Sequence, residues 1–192
     1  CQCTRAQIKK IGGIYQGHCR SLNLPRENSA IRVINHQGIN HFDDLIQGQI
    51  TINPELAQED FTIFRKDGLF AYQLAVVMDD MFQNISHIIR GCDLLEPTAR
   101  QLSFFKLLGH QAPQYGHIPL AVTDQGYKLS KQNKAPAIDT RKPQPSLISA
   151  LQFLGQCPPQ ELIHSSTEDI ISWAIDHWDI NKVPKTKEIK IA

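Results

Sequence analysis

The middle of this chain reads as strand, helix, strand, and that order constrains the fold more than any other feature. Ile85-Ser86-His87-Ile88-Ile89 has the apolar run of a buried strand, with Arg90-Gly91 at its carboxyl end. Glu96 to Leu108 has the 3.6-residue period of an amphipathic helix, with Pro97 tolerated in the first turn and Gly109 placed to end it. Ile118-Pro119-Leu120-Ala121-Val122 then reads as a second strand. This succession predicts an α/β fold, the second half of a nucleotide-binding domain. In open sheets of this kind ligands sit beyond the carboxyl ends of the strands, where Arg90 falls. Its planar fork suits a carboxylate, for about 1.5–3 kcal/mol per charge-assisted bond; an ion pair with Asp79, Asp80 or Asp93 is the competing use.

Past the second strand, the turn residues Asp124-Gln125-Gly126 lead into Lys128-Leu129-Ser130-Lys131-Gln132. Two lysines bring positive charge, and Ser130 with the loop N–H groups can donate hydrogen bonds, a combination suited to polyphosphate. A solvated basic loop would use the same residues. Upstream, Leu69 to Asp80 predicts a helix with Leu74, Val77 and Met78 on one face and Tyr72 just inside its start, where a tyrosine usually packs half-buried.

The opening is cysteine-rich: three of the five cysteines fall within the first 19 residues. Cys1-x-Cys3 followed by Cys19 suits zinc, which takes soft thiolates in a tetrahedron and needs one more ligand. Spacing alone nominates His18, next to Cys19, and Gly12, Gly13 and Gly17 let the backbone turn about the site. Four protein ligands would make the site structural. From Ser29 to Arg65 short alternating runs, Ala30–Ile34, the segment around Ile50-Thr51-Ile52, and Phe61–Arg65 closed by Asp67-Gly68, predict a β-rich subdomain.

After Asn133 the composition changes. Pro136, Pro143 and Pro145 mark a linker, and Leu147–Leu154 predicts a helix stopped by Gly155. Pro158-Pro159 precedes a last helix capped by Ser166 or Thr167, with Ile170, Trp173, Ala174, His177 and Trp178 at helical spacing and the tryptophans read as core. From Lys182 the tail is basic and is expected to be loose. His87, His110 and His117 lack metal-like spacing and read as polar or packing residues.

Composition removes several classes of function. At 192 residues the chain can bury a proper core. No apolar run approaches the ~18 residues of a membrane helix, and nothing resembles a signal peptide. With 20 basic against 19 acidic residues, any nucleic-acid contact should be local. The odd cysteine count, with Cys92 and Cys157 isolated in apolar surroundings, argues against a disulfide framework and for a reducing cytoplasm.

Lys128–Gln132 resembles the KMSKS loop of class I aminoacyl-tRNA synthetases, in the KLSK form of the glutamyl branch. Asp67–Asp80 and Ile88–Gln101 are similar to that branch's glutamate-binding segments. The opening Cys1-Gln2-Cys3-Thr4-Arg5-Ala6, with Gly12-Gly13-Ile14-Tyr15-Gln16-Gly17-His18-Cys19, resembles the glutamyl-queuosine tRNA(Asp) synthetases within it, and the likeness runs to about Trp178.

The resemblance implies a structural zinc ion on Cys1, Cys3, Cys19 and Tyr15, the last an unusual ligand because a phenol must lose its proton to bind well. It implies that Tyr72 and Arg90 bind glutamate, that Lys128, Ser130 and Lys131 hold ATP with its Mg²⁺, and that Lys131 stabilises charge at the triphosphate. The implied reaction activates glutamate as an adenylate and passes the glutamyl group to queuosine in the anticodon of tRNA(Asp). Residues 1–60 are expected to form a zinc-anchored insertion like that which approaches the tRNA acceptor end. Residues 61–140 would form the second Rossmann half with the KMSKS-like loop, and residues 141–192 a helical stem-contact-like region and tail. The chain starts at Cys1 inside a motif and has no HIGH-type sequence, so it reads as the carboxyl-terminal two-thirds of a cytoplasmic, monomeric enzyme, inactive by itself. A piece of a glutamyl-tRNA synthetase charging tRNA(Glu), or a non-catalytic zinc module that binds RNA, are the alternatives.

Overall fold

A computed structural model of the chain describes residues 1–130, 133 and 135–191. In chain order its helices are α1 (Arg5–Lys10), α2 (Pro54–Ala57), α3 (Tyr72–Phe82), α4 (Leu95–Leu107), α5 (Gln144–Phe153) and α6 (Thr167–His177). Its strands are β1 (Ile31–Arg32), β2 (His41–Asp44), β3 (Gly48–Thr51), β4 (Thr62–Phe64), β5 (His87–Gly91), β6 (Gln114–Ile118), β7 (Leu120–Val122) and β8 (Glu188–Lys190).

Polar caps place several helix starts. Thr4 and Gln7 form a reciprocal box at α1, the Gln7 N–H donating to the Thr4 hydroxyl at 3.2 Å and the Thr4 N–H to the Gln7 amide oxygen at 2.7 Å. Ser166 and Asp169 repeat the device at α6, so Ser166 is the cap. Helix α5 starts three residues before Leu147, because Pro145 fits the first turn, where its missing N–H costs nothing. Helix α3 starts at Tyr72, since Phe70 is taken up by an antiparallel bridge to Phe64 across the Asp67-Gly68 turn.

The chain divides into two units. The first comprises Cys1–Asp44, Gln49–Ile88 and Leu94–Tyr115; the second comprises Leu45–Gly48, Ile89–Asp93 and Gly116–Ala192.

In the first unit β1 and β4 pair antiparallel, Arg32 opposite Thr62, and β2 runs parallel to β6 with Asp44 opposite Tyr115. The four-stranded sheet has the order β3-β2-β6-β5. The core is Phe61, Val77, Phe104 and Phe105, with Phe61 edge-on to Phe104 at 5.6 Å. Leu74 and Met81 pack against it, whereas Met78, expected on that face, stays exposed. Helical geometry explains the correction: Leu74, Val77 and Met81 span about 60° of the helix, and Met78 sits about 40° outside that arc.

Next to this core Glu59 and Asp60 are buried side by side. Glu59 accepts the Tyr15 N–H at 3.0 Å and pairs with Arg100 of α4. Arg20 donates to both oxygens of Asp60 at 2.7 Å, the Asn35 N–H adds a bond at 3.0 Å, and Arg32 reaches the Asp60 carbonyl at 2.7 Å. Burial raises the Asp60 carboxyl pKa, but the Arg20 guanidinium and the Asn35 N–H more than offset this, and the net shift is downward.

Two strand expectations change. Ile85–Ile89 was expected to be a buried strand, yet the strand is His87–Gly91, and Ile89 is 53% exposed. The exposure of His87 and Ile89, which alternate with the partly buried Ile88 and Arg90, shows one face of β5 open where its apolar run implies cover on both. The expected strand Ile118–Val122 is two strands, β6 and β7, broken at Pro119, which has no N–H for a ladder.

In the second unit β7 pairs in parallel with β8, Leu120 opposite Glu188 and Val122 opposite Lys190. The tail expected to be loose is therefore docked: Val183 is buried, and the Ile191 N–H donates to the Val122 carbonyl at 2.9 Å. The alternation Glu188-Ile189-Lys190, with only Ile189 turned partly inward, is what makes it a strand. Helices α5 and α6 enclose Ile148, Leu151 and Ile170, with Trp173 packed against them and His177 stacked on Trp173 at 4.7 Å. Trp178, expected in the core, is exposed, as is Cys157; Cys92 is buried. No helix among the described residues is long and apolar enough to cross a membrane.

Gly155 ends α5 at φ +74°, and a Cβ there would meet the Lys182 carbonyl at 2.1 Å, whereas Gly109 at φ +71° faces open space. Gly155→Ala should cost about 2–5 kcal/mol, backbone strain and overpacking together. Gly109→Ala should cost only the strain, about 1–3 kcal/mol. Urea unfolding of the two variants measures the difference.

Because the folded-state pKa of Asp60 lies below the unfolded value of about 3.9, the stability it contributes is present above that pH and is lost as pH falls through the folded value. Asp60→Asn should cost about 1.5–3 kcal/mol at neutral pH, and the gap to the unmutated chain should close in strong acid. Urea titrations with a chelator present check this; a gap independent of pH would contradict it.

Candidate functional site

The chain's first residues are tied down before any ligand is considered. The Cys1 amino group donates to the Ala30 carbonyl at 2.7 Å, and the Ala30 N–H returns a bond to the Cys1 carbonyl at 2.8 Å. Helix α1 then leads to Gly12 and Gly13 at φ +98° and +84°, a reversal that residues with a Cβ resist. It returns the chain to Tyr15 and Cys19. The sulfurs of Cys1, Cys3 and Cys19 lie within 4.8 Å of one another, and Cys3 and Cys19 approach to 3.5 Å as free thiols.

Tyr15 is 3% exposed, its hydroxyl accepts the Cys19 N–H at 2.8 Å, and the Arg32 guanidinium lies 4.1 Å from its ring centroid. His18 is exposed, its ring 5.8 Å from that of Tyr15. Burial pushes the Cys3 thiol and the Tyr15 phenol up. For Cys19 burial acts the same way, but hydrogen bonds from the Gln2 backbone, Cys3 and Tyr15 outweigh it and bring this thiol down. Three converging thiols with a phenol beside them form a donor set suited to a thiophilic metal.

Tyr72 belongs to the first unit. It is the first residue of α3 and is 55% exposed rather than packed, with the neighbouring Gln73 side chain bonded to Gln101 at 2.9 Å. Arg90 belongs to the second unit. It is partly buried near the end of β5, and its Nε donates to Nε2 of His117 at 3.1 Å.

The described part of the lysine-rich loop is anchored at its base. Lys128 bridges Val122 in antiparallel fashion, and the Leu129 N–H donates to the Ala121 carbonyl at 2.9 Å. The Lys128 ammonium pairs with Asp93 at 2.5 Å. Ser130 receives the Asn133 N–H at its hydroxyl at 3.3 Å, and the Asn133 amide donates to the Lys128 carbonyl at 2.6 Å. Lys131 and Gln132 lie outside the described residues.

Sequence reasoning missed three contributors. His117 is fully buried in β6 and holds Arg90, whereas His87 and His110 are exposed. Asp93 holds Lys128, and the Glu59–Asp60 pair holds Tyr15 and Arg20. A period-two reading of Tyr115 and His117 would have flagged the histidine as inward-facing.

Residues 7–164 match the family described as tRNA synthetases class I (E and Q), catalytic domain. A glutamyl-Q tRNA(Asp) synthetase of Colwellia psychrerythraea is 59% identical over 100% of this chain and 62% of its own length. One of Salmonella paratyphi A is 49% identical over 100% of this chain and 64% of its own length. The chain thus spans less than two thirds of the curated relatives it matches. Among solved structures, a glutamate-tRNA synthetase from Elizabethkingia anophelis superposes with a TM-score of 0.67 at 24% identity, over 98% of this chain and 45% of that one, a likeness of fold. By the extent of the family match, the chain belongs to the class I tRNA synthetases of the E and Q type and carries part of their catalytic domain.

Proposed function

We propose that this chain is the part of a glutamyl-queuosine tRNA(Asp) synthetase that contributes the lysine loop, the glutamate-facing residues and a structural zinc site. The observation that carries the reading is 59% identity along its whole length to a protein named for that activity. The thiol cluster at Cys1, Cys3 and Cys19, with the Tyr15 hydroxyl beside it, supports it. The five free cysteines agree with a reducing cytoplasm.

Residues 1–60 would be the zinc-anchored insertion, residues 61–140 the second Rossmann half, and residues 141–192 the helical region that contacts an RNA stem. Cys1, Cys3, Cys19 and Tyr15 would hold zinc. Four protein ligands leave no open position, so the ion would supply rigidity rather than chemistry.

In the first step a glutamate carboxylate attacks the α-phosphate of ATP, which arrives with Mg²⁺ as substrate, and pyrophosphate leaves. Arg90 would grip a carboxylate of glutamate with its fork and Tyr72 would hydrogen-bond the amino acid. Lys128, Ser130 and Lys131 would hold the triphosphate, the lysines with positive charge and Ser130 with a hydrogen bond, Lys131 stabilising the charge that builds up on the departing pyrophosphate. Lys128 exchanges its Asp93 partner for phosphate in this scheme. In the second step a hydroxyl of the queuosine diol in the tRNA(Asp) anticodon stem-loop attacks the mixed anhydride, forming the glutamyl ester and releasing AMP.

Two outcomes are expected. The purified chain should hold about one zinc per molecule; Tyr15→Phe should release it to a chelator roughly tenfold or more faster, and His18→Ala should behave like the unmutated chain. The reverse pattern would give the fourth ligand to His18. The full-length protein should attach glutamate to tRNA(Asp) that carries queuosine and fail on the same transcript with guanine there. Efficient charging of tRNA(Glu) instead would overturn the reading in favour of an ordinary glutamyl-tRNA synthetase.

A further inference from the structure

Among the ionisable side chains the proposed reaction does not use, His117 stands apart because it is 0% exposed and bonded to one that it does use. A buried imidazole costs desolvation that an apolar residue of the same size would not. Its main chain is held at the carbonyl. The Gln47 amide donates to the His117 carbonyl at 2.8 Å, and the Cys92 thiol approaches the same carbonyl at 3.6 Å. Next to it, Gly116 lets the Ile89 side chain come within 2.7 Å of where a Cβ would stand, so β6 lies close against this part of β5. With its carbonyl held and its strand close against β5, His117 presents Nε2 to the Nε–H of Arg90 at 3.1 Å.

We propose that His117 is a positioning residue for Arg90, setting the plane of its guanidinium so that the fork meets the glutamate carboxylate in one orientation. The bond requires a lone pair on Nε2, so the ring proton is on Nδ1. Arginine is flexible, and a bidentate grip on a carboxylate demands a defined plane. An acceptor fixed at Nε removes rotamers that would otherwise have to be frozen when the ligand arrives. This inference rests on the proposed role of Arg90 in holding glutamate.

The test measures binding of L-glutamate and, separately, of ATP to the full-length protein by calorimetry. His117→Met removes the acceptor at similar volume, and His117→Gln offers an amide oxygen in its place. His117→Met should weaken glutamate roughly tenfold or more, the scale of a charged hydrogen bond lost or misaligned, with ATP affinity unchanged. His117→Gln should recover most of the loss. On an Arg90→Ala background, His117→Met should add nothing, because the histidine acts through the arginine.

Unchanged glutamate affinity in His117→Met, or an equal loss on the Arg90→Ala background, would overturn the positioning role while leaving Arg90 as the glutamate residue. Arg90→Ala without effect on glutamate would remove the reading of Arg90 and this inference with it. Should His117→Met fail to fold, the unmutated protein still decides: an NMR coupling between Arg90 Nε and His117 Nε2 across the hydrogen bond is expected, and its absence would overturn the proposal.

Discussion

Glu59 and Asp60 place two carboxylates side by side in the interior of the first unit, and the cysteine-rich opening is fastened to them. Ionised carboxylates leave water at a cost of several kcal/mol each unless their oxygens are well matched. Here the match comes from Arg20, Arg100 and the N–H groups of Tyr15 and Asn35, with Arg32 on the neighbouring carbonyl. The partners come from three separate stretches, Tyr15–Arg20, Arg32–Asn35 and Arg100 of α4, so the pair works as a junction. Of residues 1–30 Tyr15 alone is buried, which leaves this segment little apolar burial to order it. Its order comes from the junction, the Thr4 cap and the reciprocal bonds between Cys1 and Ala30. A metal on the three thiols would add to that in the way small metal-anchored segments commonly gain stability.

The same junction aims Tyr15. Its main chain is held by Glu59, its ring lies beneath Arg32, and its hydroxyl takes the Cys19 N–H. His18, the ligand that spacing nominates, is exposed instead, its ring 5.8 Å from that of Tyr15. Local order of this kind recurs at the lysine loop, whose base is stitched to β7 while β8 closes the other edge of the same strand. The tail strand thus supports the segment from which Lys128 and Ser130 project.

Much of this was legible in the residues. The Asp67-Gly68 turn, the helix from Leu95 with its Gly109 stop and the Ser166 cap follow from local chemistry acting over a few positions, and the soft-ligand chemistry of thiols marked Cys1, Cys3 and Cys19 as a group across a longer stretch. What was not legible depends on partners distant in sequence. The His41–Asp44 strand is too polar to announce itself and exists because β3 and β6 flank it. The Glu188–Lys190 strand forms because β7 offers an edge. Ile89 reads as core by composition, yet it stands on the open face of β5. His117 lacks any metal-like spacing, and its meaning appears only when β6 brings it to Arg90. Tyr72 was nominated by resemblance, since its position alone made it a packing residue, whereas the place of Arg90 at a strand's carboxyl end already suited a carboxylate, with an ion pair as the competing use.

In the proposed function, glutamate activated with the help of Arg90, Tyr72 and the lysine loop ends on a modified base rather than on a terminal ribose. The most direct measurement locates the new ester. Isotope-labelled glutamate, ATP and tRNA(Asp) are incubated with the full-length protein, the RNA is digested to nucleosides under mildly acidic conditions, and the label is followed by liquid chromatography and mass spectrometry. The label is expected as glutamyl-queuosine from the anticodon. Label recovered on the 3′-terminal adenosine would contradict it.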